Sequence, residues 1–123
     1  MTTLRTTLQP ASSSPARARA FVTSALTTWD ADALIPTATL LTSELVTNAY
    51  LHAHTGIELR LVQTDVGVRF EVFDTSPQNP VPRAVAELAC HGRGLHLVDQ
   101  LAASWGVAPG SPLGKTVWFE LGH

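Results

Sequence analysis

Residues 44–52, Glu-Leu-Val-Thr-Asn-Ala-Tyr-Leu-His, place a carboxylate and a carboxamide four positions apart within an apolar helical pattern. Four residues make about one helical turn, so Glu44 and Asn48 point to the same side of the predicted helix. At about 100° per residue, one continuous arc collects both polar groups and most of the apolar residues. This arc consists of Ala38, Leu40, Leu41, Glu44, Leu45, Asn48, Ala49 and Leu51. The pattern therefore predicts two polar side chains within the buried face of a helix.

The position of Glu44 leaves two interpretations open. An ionised carboxylate that is buried without partners is strongly destabilising, so a buried Glu44 would need a cation, hydrogen-bond donors or a chemical role. Alternatively, Glu44 lies at the edge of the helix and leans out to water.

The length and composition predict one compact domain spanning residues 1–123. Hydrophobic residues make up 45% of the chain and charged residues 15%, which is typical of a folded globular protein. The net charge of −2 and the pI near 6.2 give no basic patch, so direct binding of nucleic acid is not expected.

Cysteine usage and hydropathy indicate a cytoplasmic protein. Cys90 is the single cysteine, so no internal disulfide can form, and a reducing compartment is expected. The N-terminal residues lack the apolar core of a secretory signal, and no stretch approaches the roughly 20 apolar residues of a membrane helix. We therefore expect neither export nor a membrane partner.

Hydrophobic periodicity and turn residues predict helices and strands in mixed order. The predicted elements are a short edge strand at 2–9, helices at 15–29, 36–53 and 94–102, and strands at 57–64, 68–74, 104–107 and 115–121. Residues 75–82 contain three prolines and are predicted to form a loop, and residues 84–90 to form a short helix or a flap. A hairpin without a βαβ repeat favours an α+β fold, a two-layer sandwich with about three helices on one face of a mixed, mainly antiparallel sheet.

Three further segments can carry chemistry, and each also has a purely structural interpretation. Asp74 ends a strand, where its carboxylate can accept a hydrogen bond from a ligand or cap its own turn. Residues 92–94, Gly-Arg-Gly, precede a helix, where backbone amides can approach an anion or simply mark a turn. Residues 114–116, Gly-Lys-Thr, open the last strand and offer an ammonium and a hydroxyl, or only a turn exit.

Taken in order, these segments resemble the ATP-binding domain of the GHKL superfamily. The resemblance extends from Leu4 to Leu121 and is most specific at residues 43–49 (Ser-Glu-Leu-Val-Thr-Asn-Ala), 92–98 (Gly-Arg-Gly-Leu-His-Leu-Val) and 114–118 (Gly-Lys-Thr-Val-Trp). It implies the Bergerat fold, an α/β sandwich that holds the nucleotide between its helices and a flap. Within the superfamily, the chain looks like the stand-alone serine/threonine kinases that act as anti-sigma factors in bacterial partner switching.

The resemblance implies ATP and Mg²⁺ as cofactors and assigns a role to each matching residue. Asn48 would bind Mg²⁺, which bridges the nucleotide phosphates, and Glu44 would be the general base for the attacking hydroxyl. Asp74 would accept a hydrogen bond from the adenine amino group, and Thr116 would complete that network directly or through water.

The same resemblance places residues 92–95 against the nucleotide. Gly92 and Gly94 would let the flap backbone close on the phosphates, and Arg93 would add positive charge there. Leu95 belongs to the same motif and is counted with the nucleotide-binding residues.

The resemblance also implies protein partners. An anti-anti-sigma protein of the STAS type would supply the acceptor serine or threonine, a sigma factor would be the alternate ligand, and the chain would form a homodimer. The length leaves no room for the dimerisation helix of a histidine kinase or for the second domain of topoisomerase-type ATPases, so neither is expected.

One segment departs from the superfamily pattern and supports a second function. After Asp74 the chain reads Thr-Ser-Pro-Gln-Asn-Pro, where the superfamily has Asp-x-Gly-x-Gly. Prolines stiffen a loop that glycines would leave flexible. The alternative is therefore a non-catalytic binding module that sequesters a regulatory protein with weak or no nucleotide turnover.

Overall fold

The computed structural model describes residues 2–53, 56–74, 93–109 and 114–122, which form an α+β fold. In chain order, its elements are β1 (Thr3–Leu8), α1 (Ser14–Thr28), a 3-10 turn (Asp32–Leu34), α2 (Ile35–Ala53), β2 (Ile57–Gln63), β3 (Gly67–Asp74), α3 (Arg93–Leu101), β4 (Ser104–Pro109) and β5 (Lys115–Gly122). The loop predicted at 75–82 and the short helix or flap predicted at 84–90 lie outside the described residues.

The five strands form one sheet in the order β1-β2-β3-β5-β4, and all four neighbouring pairs are antiparallel. The predicted hairpin of β2 and β3 is present, and β1 is an edge strand as expected. The predicted two-layer α+β fold is thus confirmed, with a sheet that is antiparallel throughout the described strands.

The core lies between the helices and the inner face of this sheet. Alternate residues of β2, β3 and β5 turn inward because successive side chains of a strand point to opposite faces. Phe70 and Phe119 are directly opposite each other on β3 and β5, and their rings stack with centroids 4.6 Å apart. Leu26 of α1 and Leu41 of α2 are fully buried in the same core.

The outer face of the sheet carries paired charges. Arg60 pairs with Glu58 and Glu71, at 2.8 and 3.2 Å, and Arg69 pairs with Glu71 at 2.9 Å. The Arg69 guanidinium also lies 4.0 Å from the ring centroid of Trp118. Such partly exposed pairs contribute little to stability, but they mark the face that the helices leave uncovered.

The buried arc of α2 differs from the predicted one. Leu40 and Leu51, both predicted to be buried, are 42% and 48% exposed, whereas Val46 is fully buried. Packing against α1 explains the difference, since Arg19 of α1 donates a 3.1 Å hydrogen bond to Ser43 Oγ on that side of α2. The buried face is therefore turned toward α1, and the opposite edge of α2 is open.

A serine at the start of α1 bonds to the end of β1. Ser13 occupies the N-cap position without a side-chain hydrogen bond, and Pro15 lies in the first turn, where its fixed φ suits a helix. Ser14 is buried, and its hydroxyl donates to the Gln9 carbonyl oxygen. The Ser14 side chain thus fastens α1 to the end of β1 instead of capping the helix.

Replacing Gly67 by alanine is expected to lower the free energy of unfolding by about 1–3 kcal/mol or more. A Cβ at position 67 would lie 1.9 Å from the Leu121 carbonyl oxygen, so the backbones of β3 and β5 would have to separate. Gly122 is the matched control, because it faces Gly67 across the two strands and its Cβ would lie 3.7 Å from the Val66 carbonyl oxygen, an ordinary contact distance. Denaturant unfolding of both variants measures the difference, and equal losses would contradict the close-approach explanation.

Candidate functional site

Two of the predicted nucleotide-site residues are buried polar groups between the layers. Among the described residues, the buried polar or charged ones are Ser14, Thr42, Asn48 and Asp74. Asn48 comes from α2 and Asp74 from the end of β3, and α2 packs on β2 and β3. Of the predicted site residues, the helix layer thus contributes Asn48 and the sheet contributes Asp74 to the buried polar groups.

Asn48 is 7% exposed, and its Nδ2 has no hydrogen-bond partner among the described residues. An unpaired buried donor costs free energy, so a buried carboxamide of this kind points to a ligand. The group fits a magnesium nucleotide: a carboxamide oxygen is a hard ligand of the type that Mg²⁺ prefers, and Nδ2 can donate to a phosphate oxygen.

Glu44 lies one turn before Asn48 at the open edge of α2 and is half-buried. Within the part of the chain that the structure describes, it makes no ion pair or hydrogen bond. Of the two interpretations of Glu44, the structure favours the helix edge. A carboxylate there, without a structural partner, is accessible to an incoming hydroxyl, as a general base must be.

Asp74 forms an ion pair that the sequence did not predict. Lys115 Nζ donates to Asp74 Oδ2 over 2.8 Å, and the two side chains are 17% and 3% exposed. The two residues are directly opposite each other on β3 and β5, so their side chains share one face of the sheet. Asp74 continues the inward series of Val68, Phe70 and Val72, which places the pair on the side of the helices.

The structure does not bring Thr116 to Asp74. Thr116 is opposite Phe73 in the register, and alternation turns both of these residues to the outer face. Lys115 therefore occupies the position beside Asp74 that was expected for Thr116, and the role of Thr116 stays a prediction that this register does not favour. Gly114, the residue before β5, has φ of 90°, a backbone conformation that glycine adopts readily.

The remaining predicted residues lie at or before the start of α3. Gly92 is outside the described residues, Arg93 is the first residue of α3, and Gly94 and Leu95 follow in its first turn. The first backbone amides of a helix have no partner within the helix and can bind an anion. The roles of these four residues in nucleotide binding stay predictions.

The position of α3 is fixed by contacts further along the helix. Val98 is fully buried in the core, and Trp105 Nε1 of β4 donates to Asp99 Oδ1 over 2.9 Å. α3 packs on α2 as well as on β4. These contacts place α3 in the helical layer, beside α2.

Comparison with known proteins identifies the family. Residues 8–121 match the family model of the histidine kinase-like ATPase domain. The chain therefore belongs to the histidine kinase-like ATPase family, and its α+β fold is consistent with the ATPase domain of that family. A search of the curated proteins finds none that matches.

No helix in the described ranges combines the length and apolar character needed to cross a membrane.

Proposed function

We propose that this chain is a cytoplasmic Mg-ATP-dependent protein serine/threonine kinase of the anti-sigma factor type. The observation that supports this proposal most directly is the arrangement on α2. A half-buried Glu44 without a structural partner lies one turn before a buried Asn48 whose Nδ2 is unpaired among the described residues. A base and a phosphate or metal ligand on one edge of a helix are the parts that phosphoryl transfer needs.

Three residues would have different roles in the proposed reaction. Glu44 would take the proton from the acceptor hydroxyl as its oxygen bonds to the γ-phosphorus, while the bond to the leaving ADP breaks. Asn48 would hold the phosphates and Mg²⁺, and Asp74 would accept a hydrogen bond from the amino group of adenine. Bound Mg²⁺ would neutralise the charge of the phosphate oxygens.

The proposed partners are an anti-anti-sigma protein of the STAS type, as phosphoacceptor, and a sigma factor. A phosphoserine carries about −1.5 to −2 charges at neutral pH, enough to disrupt an interface by repulsion and desolvation. Phosphorylation would thereby release this chain to bind the sigma factor. A homodimer is part of the same proposal.

A second candidate is a binding module that sequesters a regulatory protein without turning over nucleotide. Two features favour it. The sequence after Asp74 lacks the glycines of the superfamily pattern, and the Asp74 carboxylate already accepts a hydrogen bond from Lys115. If the chain is such a binding module, its buried polar groups would bind nucleotide weakly or would contribute only to the fold.

Two measurements separate the candidates. Isothermal titration with ATP and ADP, with and without Mg²⁺, tests binding, and incubation with labelled ATP, Mg²⁺ and the STAS-type partner tests transfer. A kinase binds nucleotide in a Mg²⁺-dependent manner and labels its partner. A protein that binds the partner but neither binds nucleotide nor transfers label is the sequestering module, and the kinase proposal is then rejected.

A further inference from the structure

Asp74 and Lys115 form an ion pair, and the proposed function assigns a ligand contact to Asp74 but none to Lys115. Both side chains lie on the inner face of the sheet, and each is largely shielded from water. Taking two opposite charges out of water is costly, and apolar residues of similar size often stabilise a protein as well. Such a pair at the edge of a proposed ligand site is therefore better explained by recognition than by stability.

Lys115 still has hydrogen-bonding capacity that a ligand can use. An ammonium group carries three N–H donors, and within the described residues Asp74 is its one hydrogen-bonding partner. The Lys115 side chain is 17% exposed, so the pair is not completely enclosed. The pair thus presents a donor next to an acceptor, with 2.8 Å between the two atoms.

Building on the proposed nucleotide binding, we propose that Asp74 and Lys115 together recognise the adenine edge at two points. Adenine presents its N6 amino group, a donor, directly beside N1, an acceptor. Asp74 would accept from N6, and Lys115 would donate to N1 without leaving Asp74. Lys115 is then a specificity-determining residue of the site, and it supplies by direct contact the donor that was expected from Thr116 or a water molecule.

The competing possibility is that Lys115 occupies the position of the adenine ring and has to be displaced when the nucleotide binds. The chemistry of the pair argues against this. The Lys115 ammonium and the adenine amino group would both donate a charge-assisted hydrogen bond to the Asp74 carboxylate, but only the ammonium also compensates its buried negative charge. The adenine amino group would therefore be a poor substitute for Lys115 on a carboxylate that is 3% exposed. Adenine that binds beside the ion pair does not have to break it.

The test compares ADP with 1-deaza-ADP, in which a C–H group replaces N1, by isothermal titration with the wild-type protein, Lys115→Met and Lys115→Arg. We expect the wild type to bind ADP about 10-fold or more tighter than 1-deaza-ADP, the usual effect of one hydrogen bond to a charged group. Lys115→Met is expected to lose that discrimination and to bind ADP about 10-fold more weakly, whereas Lys115→Arg should retain part of it.

The outcomes separate this proposal from the one on which it rests. Equal binding of ADP and 1-deaza-ADP by the wild type overturns the role of Lys115 while nucleotide binding stands, and this comparison needs no variant. Tighter ADP binding by Lys115→Met also overturns it, because the lysine would then be an occupant of the site. Absence of any ADP binding by the wild type overturns the nucleotide-binding function itself.

Discussion

Asn48→Ala is expected to abolish Mg-ATP turnover while leaving the free energy of unfolding unchanged or slightly higher. Turnover should fail because Asn48 is the proposed ligand of the phosphates and Mg²⁺. Stability should survive because Asn48 Nδ2 has no partner among the described residues, and removing an unpaired buried polar atom need not cost free energy. A labelled-ATP assay and denaturant unfolding measure the two quantities.

Thr42→Val is the matched control for this prediction. Thr42 lies on the same helix, is fully buried, and its Oγ1 also has no partner among the described residues. Valine has nearly the same shape without the hydroxyl, so stability should be kept or raised and turnover should be unaffected. If Asn48→Ala unfolds the protein or lowers its stability by more than about 2 kcal/mol, Asn48 is a structural residue and the proposed metal ligand is lost.

Glu44→Ala and Glu44→Gln are expected to slow phosphoryl transfer by about 10²-fold or more while nucleotide affinity stays the same. Glu44 is half-buried at the open edge of α2 and makes no ion pair or hydrogen bond with other described residues, so its replacement disturbs no observed contact. Single-turnover transfer to the STAS-type partner gives the rate, and isothermal titration with ADP gives the affinity.

Glu58→Gln controls for loss of a carboxylate elsewhere in the fold. Glu58 pairs with Arg60 on the outer face of the sheet, away from the helices, so its replacement should leave transfer unchanged. If the Glu44 and Asn48 variants lose nucleotide binding to the same extent, Glu44 shapes the site and is not the base. Unchanged transfer in Glu44→Gln would likewise remove it from the reaction.

The elements of the fold could be predicted from local pattern because each depends on residues close in sequence. Apolar spacing and proline at the first helical turn placed α1 and α2 within about one residue of their observed starts. Strict alternation and the turn before Gly67 gave the hairpin of β2 and β3. The exposure of Leu40 and Leu51 could not be obtained in this way, since it depends on where α1 packs against α2.

The pairing of Asp74 with Lys115 could not be predicted from the sequence for a similar reason. Asp74 and Lys115 are 41 positions apart, and only the register of β3 against β5 shows that they are opposite each other. A shift of one residue would have turned Thr116 inward in place of Lys115. The order of the motifs indicated which segments are candidates for the site, whereas strand pairing decides which side chain of β3 or β5 faces the helices.

Because β3 and β5 are adjacent in the sheet, the part of the chain between Asp74 and Lys115 starts and ends at neighbouring strands. It contains α3, the edge strand β4 and the residues that the family resemblance assigns to phosphate closure. The entropy of closing a loop grows only with the logarithm of its length, so residues inserted between Asp74 and Arg93, ahead of the buried Val98 and the paired strand β4, are expected to change stability little. Such an insertion would leave the pairing of β3 with β5 intact, which makes this position suitable for a grafted sequence.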